Sequence, residues 1–229
     1  MKNVIITGAN GNLGIACVRY LLEKGYRVIA VDGNNNHLDF AKTHPKFSFT
    51  SVDLSNEAAV QKMLQDLLDK LGVLDAAVML AGGFAAGGIT QTSNADIDKM
   101  ISLNFKTAWN LVQPLFGQMQ KGKGGRFVFI GARPALVPAQ GKDLLAYALS
   151  KSLLFRLAEY INEAGAASNT TAAVVVPSTI DTALNRSSMP DADPSKWVKP
   201  ETLAANIEFI LSEPGEALRE AVLKVYNQA

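Results

Sequence analysis

The chain has 229 residues, 48% of them apolar, and its 22 basic and 21 acidic residues leave a formal charge of +1. That length suits one substantial core, a single domain over residues 1–229, and does not require two. A near-neutral balance with no basic cluster gives no electrostatic footprint for nucleic acid or an anionic membrane, so small-molecule partners are expected.

No basic-apolar leader precedes Val4, and no run approaches the roughly 20 apolar residues that span a bilayer. A cytoplasmic protein is expected. The apolar run Val4-Ile5-Ile6 stops at Thr7-Gly8, glycines return at 11 and 14, and an amphipathic stretch begins at Leu13. This predicts a buried strand, a tight turn and a helix. A dinucleotide pyrophosphate needs that arrangement, because bare backbone must approach it and the first N–H groups of a helix must point at it. Gly8 would make the turn, Gly11 would allow the approach and Gly14 would let the helix pack on the strand. Glycines punctuate ordinary strand-to-helix turns too, so the spacing gains weight only from residues further along the chain.

Leu13, Cys17, Val18, Leu21 and Leu22 fall at helical spacing, and Lys24-Gly25 closes the helix near Glu23. Cys17, the only cysteine, reads as a small core residue that can form no internal disulfide, which fits a reducing compartment. A second strand, 26–31, ends at Asp32. An acid there can accept both hydroxyls of an adenosine ribose and repels a 2′-phosphate, which favours NAD over NADP. It could also simply cap the turn Asp32-Gly33-Asn34. His37 and His44 flank a polar loop without a partner at ligand spacing, so no metal site is expected.

A third strand at 47–52 leads through Asp53-Leu54 to a helix that Ser55 could cap. Residues 74–80 form a fourth strand that ends in Ala81-Gly82-Gly83, small residues that leave room for a ligand. One long helix is predicted from Ala95 to about Gln120, with Asn104 in its midst, either on the surface or turned inward to some function. Strands at 125–131 and 172–177 flank a helix carrying Tyr147 and Lys151. Residues 178–200, polar and rich in Pro, Ser and Asp, suggest a mobile loop over a site. A helix from Pro200 to about Ser212 and a strand near 222–226 complete the chain. The alternation predicts an α/β fold: a doubly wound, mostly parallel sheet with helices on both faces and ligand at the carboxyl ends of its strands.

Tyr147-Ala148-Leu149-Ser150-Lys151 places a phenol and an ammonium one turn apart on one helix face. A nearby cation favours phenolate and lowers the phenol's pKa, so the pair suits general acid catalysis, although such spacing is also common surface decoration.

With these residues in this order, the sequence resembles the short-chain dehydrogenase/reductase family over nearly its whole length: Thr7-Gly8-x-x-Gly11-x-x-Gly14, Asp32, Asp53, Ala81-Gly82, Asn104 and Tyr147-x-x-x-Lys151. The resemblance implies a Rossmann fold with a seven-stranded sheet and a nicotinamide cofactor. It implies cofactor contacts from Gly8, Asn10, Gly11, Asn12, Leu13, Gly14, Asp32, Ala81, Gly82 and Gly83. Asp53 and Leu54 would flank the adenine, Lys151 would also hold the nicotinamide ribose, and Asn104 would support a water linking Lys151 to solvent. Self-association through residues 95–120 and 145–164, as a homodimer or homotetramer, is implied as well. The loop departs from the family's commonest form, which has glycine where Asn12 stands.

A second departure bears on chemistry. The family usually places a serine about thirteen residues before the tyrosine to hold a substrate carbonyl, yet residues 127–146 contain no Ser or Thr. Ala132 stands at that place counting from the fifth strand, and Pro134 counting back from Tyr147. Residues 81–88 and 177–193 look like the corresponding stretches of the family's dihydropteridine reductase branch, which uses NADH on quinonoid dihydropterin and also lacks the serine. There Pro177, Thr179, Ile180 and Thr182 would meet the cofactor. Phe84 replaces a tryptophan of that branch, and about two extra residues precede Tyr147. Phe84, Met189 and Trp197 are candidate walls for a planar ring, with ordinary core packing as the alternative. The expected activity is NADH-dependent reduction of quinonoid dihydropterin or a similar electron-poor ring. The alternatives are a general ketone reductase and a dinucleotide-binding sensor or scaffold without turnover.

Overall fold

A computed structural model of the chain describes residues 1–228. Seven strands form one sheet: β1 (Asn3–Thr7), β2 (Arg27–Asp32), β3 (Phe47–Ser51), β4 (Ala76–Met79), β5 (Gly125–Ile130), β6 (Thr170–Pro177) and β7 (Val222–Val225). Their order is β3-β2-β1-β4-β5-β6-β7, and every pairing is parallel. The order reverses between β1 and β4, where the connections leave on opposite sides and open a crevice at the strands' carboxyl ends. The helices are α1 (Asn12–Glu23), α2 (Glu57–Leu71), α3 (Asn94–Ile101), α4 (Thr107–Lys121), α5 (Arg133–Leu136), α6 (Pro138–Gly141), α7 (Leu145–Gly165), α8 (Ala183–Ser188) and α9 (Pro200–Leu211).

The period-2 alternation of strand side chains divides the core into two layers. Val4, Ile6, Val28, Ala30, Val128 and Val175 face α1 and α9, meeting Cys17, Leu21, Leu203 and Ile207. Ile5, Ile29, Phe127, Phe129, Val174 and Val176 face the opposite layer and pack on Leu64 of α2, Leu111 of α4 and Leu157 of α7. Sheet strands buried on both faces read as unbroken apolar runs, which is why Val4-Ile5-Ile6 and 172–176 are legible as strands.

Three expectations change. Asn56, not Ser55, caps α2: its side chain accepts from Ala59 N–H at 3.1 Å. Asp53 Oδ1 draws in both the amide and the hydroxyl of Ser55, at 2.9 and 2.7 Å, so Ser55 belongs to a turn and the helix starts later. The long helix from Ala95 is interrupted by a π-helical turn, Ser102–Lys106, with Asn104 inside it. At that turn Thr107 Oγ1 donates back to the Leu103 carbonyl at 2.7 Å. Finally, residues 178–200 are folded: Thr182 caps α8, Asp193 caps a 3₁₀ turn at Pro194–Lys196, and Ile180 bridges Val198. Arg186 pairs with Asp181 through two bonds of 2.6 and 2.8 Å within this segment.

Among the described residues no helix is long and apolar enough to cross a membrane.

Candidate active site

The glycine loop leaves β1 at the crevice. Gly8 has φ +65°, and a Cβ there would stand 2.7 Å from Ala81 N, so the turn depends on glycine and lies directly against the end of β4. A Cβ on Gly14 would stand 2.6 Å from Ala9 Cα, which enforces the close approach of α1 to the loop. Gly11 is the N-cap of α1 and offers no side chain to its first turn. The opening N–H groups of a 12-residue helix, which lack partners within the helix, therefore face the loop. Such a cradle suits an anion. Asn12, the departure from the common loop, is exposed as the first residue of α1.

Asp32 closes the cradle. Its two carboxylate oxygens accept from Asn10 N–H at 2.9 Å and Gly33 N–H at 2.7 Å, fixing the group while leaving lone pairs for further donors. Asn10 donates to Asn34 Oδ1 at 2.6 Å and accepts from His37 N–H at 2.8 Å, fastening the loop after β2 to the glycine loop. Asp53 lies exposed at the end of β3. Leu54 is buried in the core, its carbonyl accepting from Asn110, so it offers an adenine little of its side chain.

The candidate catalytic pair, Tyr147 and Lys151, stands on the first turns of α7. Lys151 is buried, and its ammonium donates to the Ile130 carbonyl at the end of β5, at 2.9 Å. Burial lowers its pKa to about 8. Tyr147 behaves contrary to expectation: burial pushes its phenol up to about 12, and no lowering by Lys151 offsets it. The ammonium's bond is to a main-chain carbonyl rather than to the phenol. Phe84 follows the small residues at the end of β4 and meets the Tyr147 ring edge-on, with centroids 5.1 Å apart and planes at 61°.

Asn104 turns inward and is 1% exposed. Its amide clamps Gly83, accepting from its N–H at 2.9 Å and donating to its carbonyl at 3.1 Å, and donates to Ser150 Oγ at 3.0 Å. Both amide N–H groups are thus taken by protein acceptors. Gly82 lies among these groups: a Cβ there would overlap Asn104 Oδ1 and reach 3.4 Å from Lys151 Nζ.

On the far side, Pro177 ends β6, Thr182 caps α8, and the carbonyls of Thr179 and Ile180 bond Val198 N–H and the Asn185 side chain. Met189 is partly exposed beyond α8. Trp197 is 5% exposed and borders a cleft of about 870 Å³ with Asp181, Lys199 and Tyr226, a lining that includes neither Phe84 nor Tyr147. Ala132 is buried at the start of α5, with no hydroxyl on its segment.

Sequence reasoning passes over Ser150 and the bonds that lace Gly87 to the residues before Tyr147. Asp143 O accepts from Gly87 N–H and Gly87 O from Leu145 N–H, each at 2.8 Å. A small polar residue beside Lys151 is a faint signal; the lacing, being backbone, leaves none.

Fold and site together define an NAD(P)-dependent oxidoreductase on a Rossmann sheet. Residues 2–193 match the family model described as short chain dehydrogenase, and the chain belongs to that family. It is 31% identical over 185 residues to 2,3-dihydro-2,3-dihydroxybenzoate dehydrogenase of Escherichia coli (strain K12), covering 81% of this chain and 72% of that protein. It is 27% identical over 199 residues to dihydropteridine reductase of Dictyostelium discoideum, covering 86% and 81%. Among solved structures, 4-hydroxyisoleucine dehydrogenase complexed with NADH superposes with a TM-score of 0.89 at 25% identity over 99% and 98% of the two chains. ElxO with NADP bound shares the fold, with a TM-score of 0.89 at 22% identity over 98% and 96%.

Proposed function

We propose that this enzyme is an NADH-preferring reductase of quinonoid dihydropterin or a similarly flat, electron-poor ring. The observation that carries the reading is the pairing of Tyr147 with the ring of Phe84, which is 66% exposed, on a site whose segment 127–146 has no hydroxyl side chain. Gly8, Gly11, Gly14 and the first turn of α1 would hold the pyrophosphate, Asp32 the adenosine ribose, and Lys151 the nicotinamide ribose after leaving the Ile130 carbonyl. The unfilled approach at Gly11 and the uncapped helix start fit that group. When bound, NADH supplies the hydride.

Tyr147 supplies the proton. With its pKa raised to about 12, the phenol stays protonated at neutral pH and serves as an acid for an electron-rich nitrogen or oxygen formed on the substrate. A ketone concentrates charge on one oxygen and gains from a second donor. A quinonoid ring spreads that charge and recovers conjugation, so one donor suffices. Phe84 offers an apolar face to such a ring, and Met189 is proposed as a facing wall. The dihydropteridine reductase among the relatives supports the substrate class. Asp32 supports the cofactor choice, because its fixed carboxylate repels a 2′-phosphate. We also propose homo-oligomerisation through the outer faces of α4 and α7, where Trp109, Leu149, Leu153 and Tyr160 are exposed.

Stopped-flow oxidation of NADH against quinonoid dihydropterin, menadione and simple ketones tests the reading. It predicts much faster turnover of the ring compounds. A preference for simple ketones over every ring compound replaces it with a general carbonyl reductase, and no turnover of any leaves a dinucleotide-binding protein.

A further inference from the structure

One buried side chain closes a circuit around the site. Ser150 is 0% exposed. Its hydroxyl donates to the Tyr147 carbonyl at 2.8 Å and accepts from Asn104 Nδ2 at 3.0 Å. Asn104 in turn grips both backbone groups of Gly83. The next residue, Phe84, returns to the Tyr147 ring. Tyr147, Ser150, Asn104, Gly83 and Phe84 thus form a closed ring of contacts drawn from α7, the π-helical turn and the loop after β4.

We propose that Ser150 is a positioning residue that fixes the spacing between the Phe84 ring and the Tyr147 phenol, and so sets how a planar substrate is held against its proton donor. The substrate half of this statement rests on the reading given under Proposed function. A hydroxyl that bonds a carbonyl three residues back is ordinary in a helix. Ser152 does the same to Leu149 at 2.6 Å, on the exposed side of α7. What separates Ser150 is the second bond, across 46 residues, to a buried amide that holds the substrate loop. Beside it, the Gly87 lacing and the ring contact also join the loop after β4 to α7 and the residues before it. Phe84 is 66% exposed and meets the Tyr147 ring.

Ser150→Ala and the control Ser152→Ala separate this role from local helix support. With 3-fluorotyrosine placed at 147, the ¹⁹F resonance of Ser150→Ala should move toward that of Phe84→Ala, and that of Ser152→Ala should stay at the wild-type position. With quinonoid dihydropterin, Ser150→Ala should raise KM roughly fivefold and leave NADH affinity within about twofold, since the glycine loop is untouched. In a Phe84→Ala background the same change should add less than about twofold, because the two act through one spacing. A ¹⁹F resonance unmoved by Ser150→Ala, or equal kinetic losses with and without Phe84, overturns the proposal. If quinonoid dihydropterin is not reduced at all, the substrate reading fails by itself, and the ¹⁹F comparison still decides whether Ser150 sets the spacing.

Discussion

The proposed cofactor end and the proposed substrate end of the crevice are held by different means. Around β1 and β2 the ties are close approaches at glycines, Gly8 against Ala81 and Gly14 against Ala9, together with the Asp32 carboxylate that accepts from Asn10 N–H. Around β4 and α7 a buried side-chain bond, Asn104 to Ser150, joins the π-helical turn to α7, and backbone lacing ties Gly87 to Asp143. The pyrophosphate is the same in NAD and NADP, and a side chain added at Gly8 or Gly14 would collide with backbone. Side-chain ties can be exchanged one at a time, so the substrate end can diverge while the cofactor end stays put. Phe84, the missing hydroxyl on 127–146 and the extra length before Tyr147 all lie on the side-chain end.

The largest break in this comparison is expected at Tyr147. Tyr147→Phe keeps the ring against Phe84 and removes the proton, so turnover should fall by roughly 10²-fold or more while NADH affinity changes little. Single-turnover kinetics with a parallel binding titration separates the two quantities. A matching loss of affinity would mean that the two ends are coupled through the phenol.

At the cofactor end the expected effect is smaller and concerns selectivity. NADH should bind at least about tenfold more tightly than NADPH, about 1.4 kcal/mol, and Asp32→Ala should narrow that gap without altering substrate preference. Fluorescence titration with both nucleotides measures it. Equal affinities in the wild type would remove Asp32 from its assigned role.

Legibility in the sequence divides along the same line. Gly8, Gly14 and Asp32 can be assigned from spacing because their work is local: a left-handed φ, a missing Cβ, a strand tip. Asn104 can be singled out but not oriented, because a π-helical turn decides which way it points and no hydrophobic period encodes that turn. The Tyr147 pKa escapes spacing for a similar reason. Four residues of helix bring Lys151 near, but burial and the Ile130 carbonyl, both tertiary, decide what the ammonium does. Composition marks 178–200 as a loop, but the short helix that Thr182 caps and the Asp181–Arg186 pair carry no hydrophobic period that would announce them.

Lys151 gives the comparison a reading in pH. Burial lowers its pKa from 10.5 to about 8, so above pH 8 the unfolded chain binds more protons at this site than the folded one, and this site's contribution to stability rises with pH. The penalty for a buried ammonium is full below about pH 8 and is relieved as pH climbs toward 10.5. Denaturant unfolding of the cofactor-free protein at pH 8 and 9 should show a gain of about 1 kcal/mol that Lys151→Met removes. An identical slope in the variant would mean that the ammonium is better solvated than its position indicates.

The smallest effect is expected where the missing hydroxyl would be restored. A donor to a developing alkoxide is typically worth 10²- to 10³-fold, roughly 2.7–4 kcal/mol, when it is aimed at the oxyanion. Ala132→Ser places a hydroxyl on the right segment but not in a free position. Ala132 is the N-cap of α5, with extended backbone at φ −149° and ψ 142°, and a serine there can accept from the first turn of that short helix. A cap would turn the hydroxyl oxygen toward the Ala135 N–H, since Pro134 has none, and so fix the direction in which its proton can be donated. Ketone reduction should rise only about two- to fivefold, well short of a full oxyanion donor, and reduction of quinonoid dihydropterin should rise less. The ratio of kcat/KM values for the two substrate classes, wild type against variant, measures the change. A gain of 10² or more on ketones would show that capping does not compete and that the two ends of the crevice differ by less than their bonding implies.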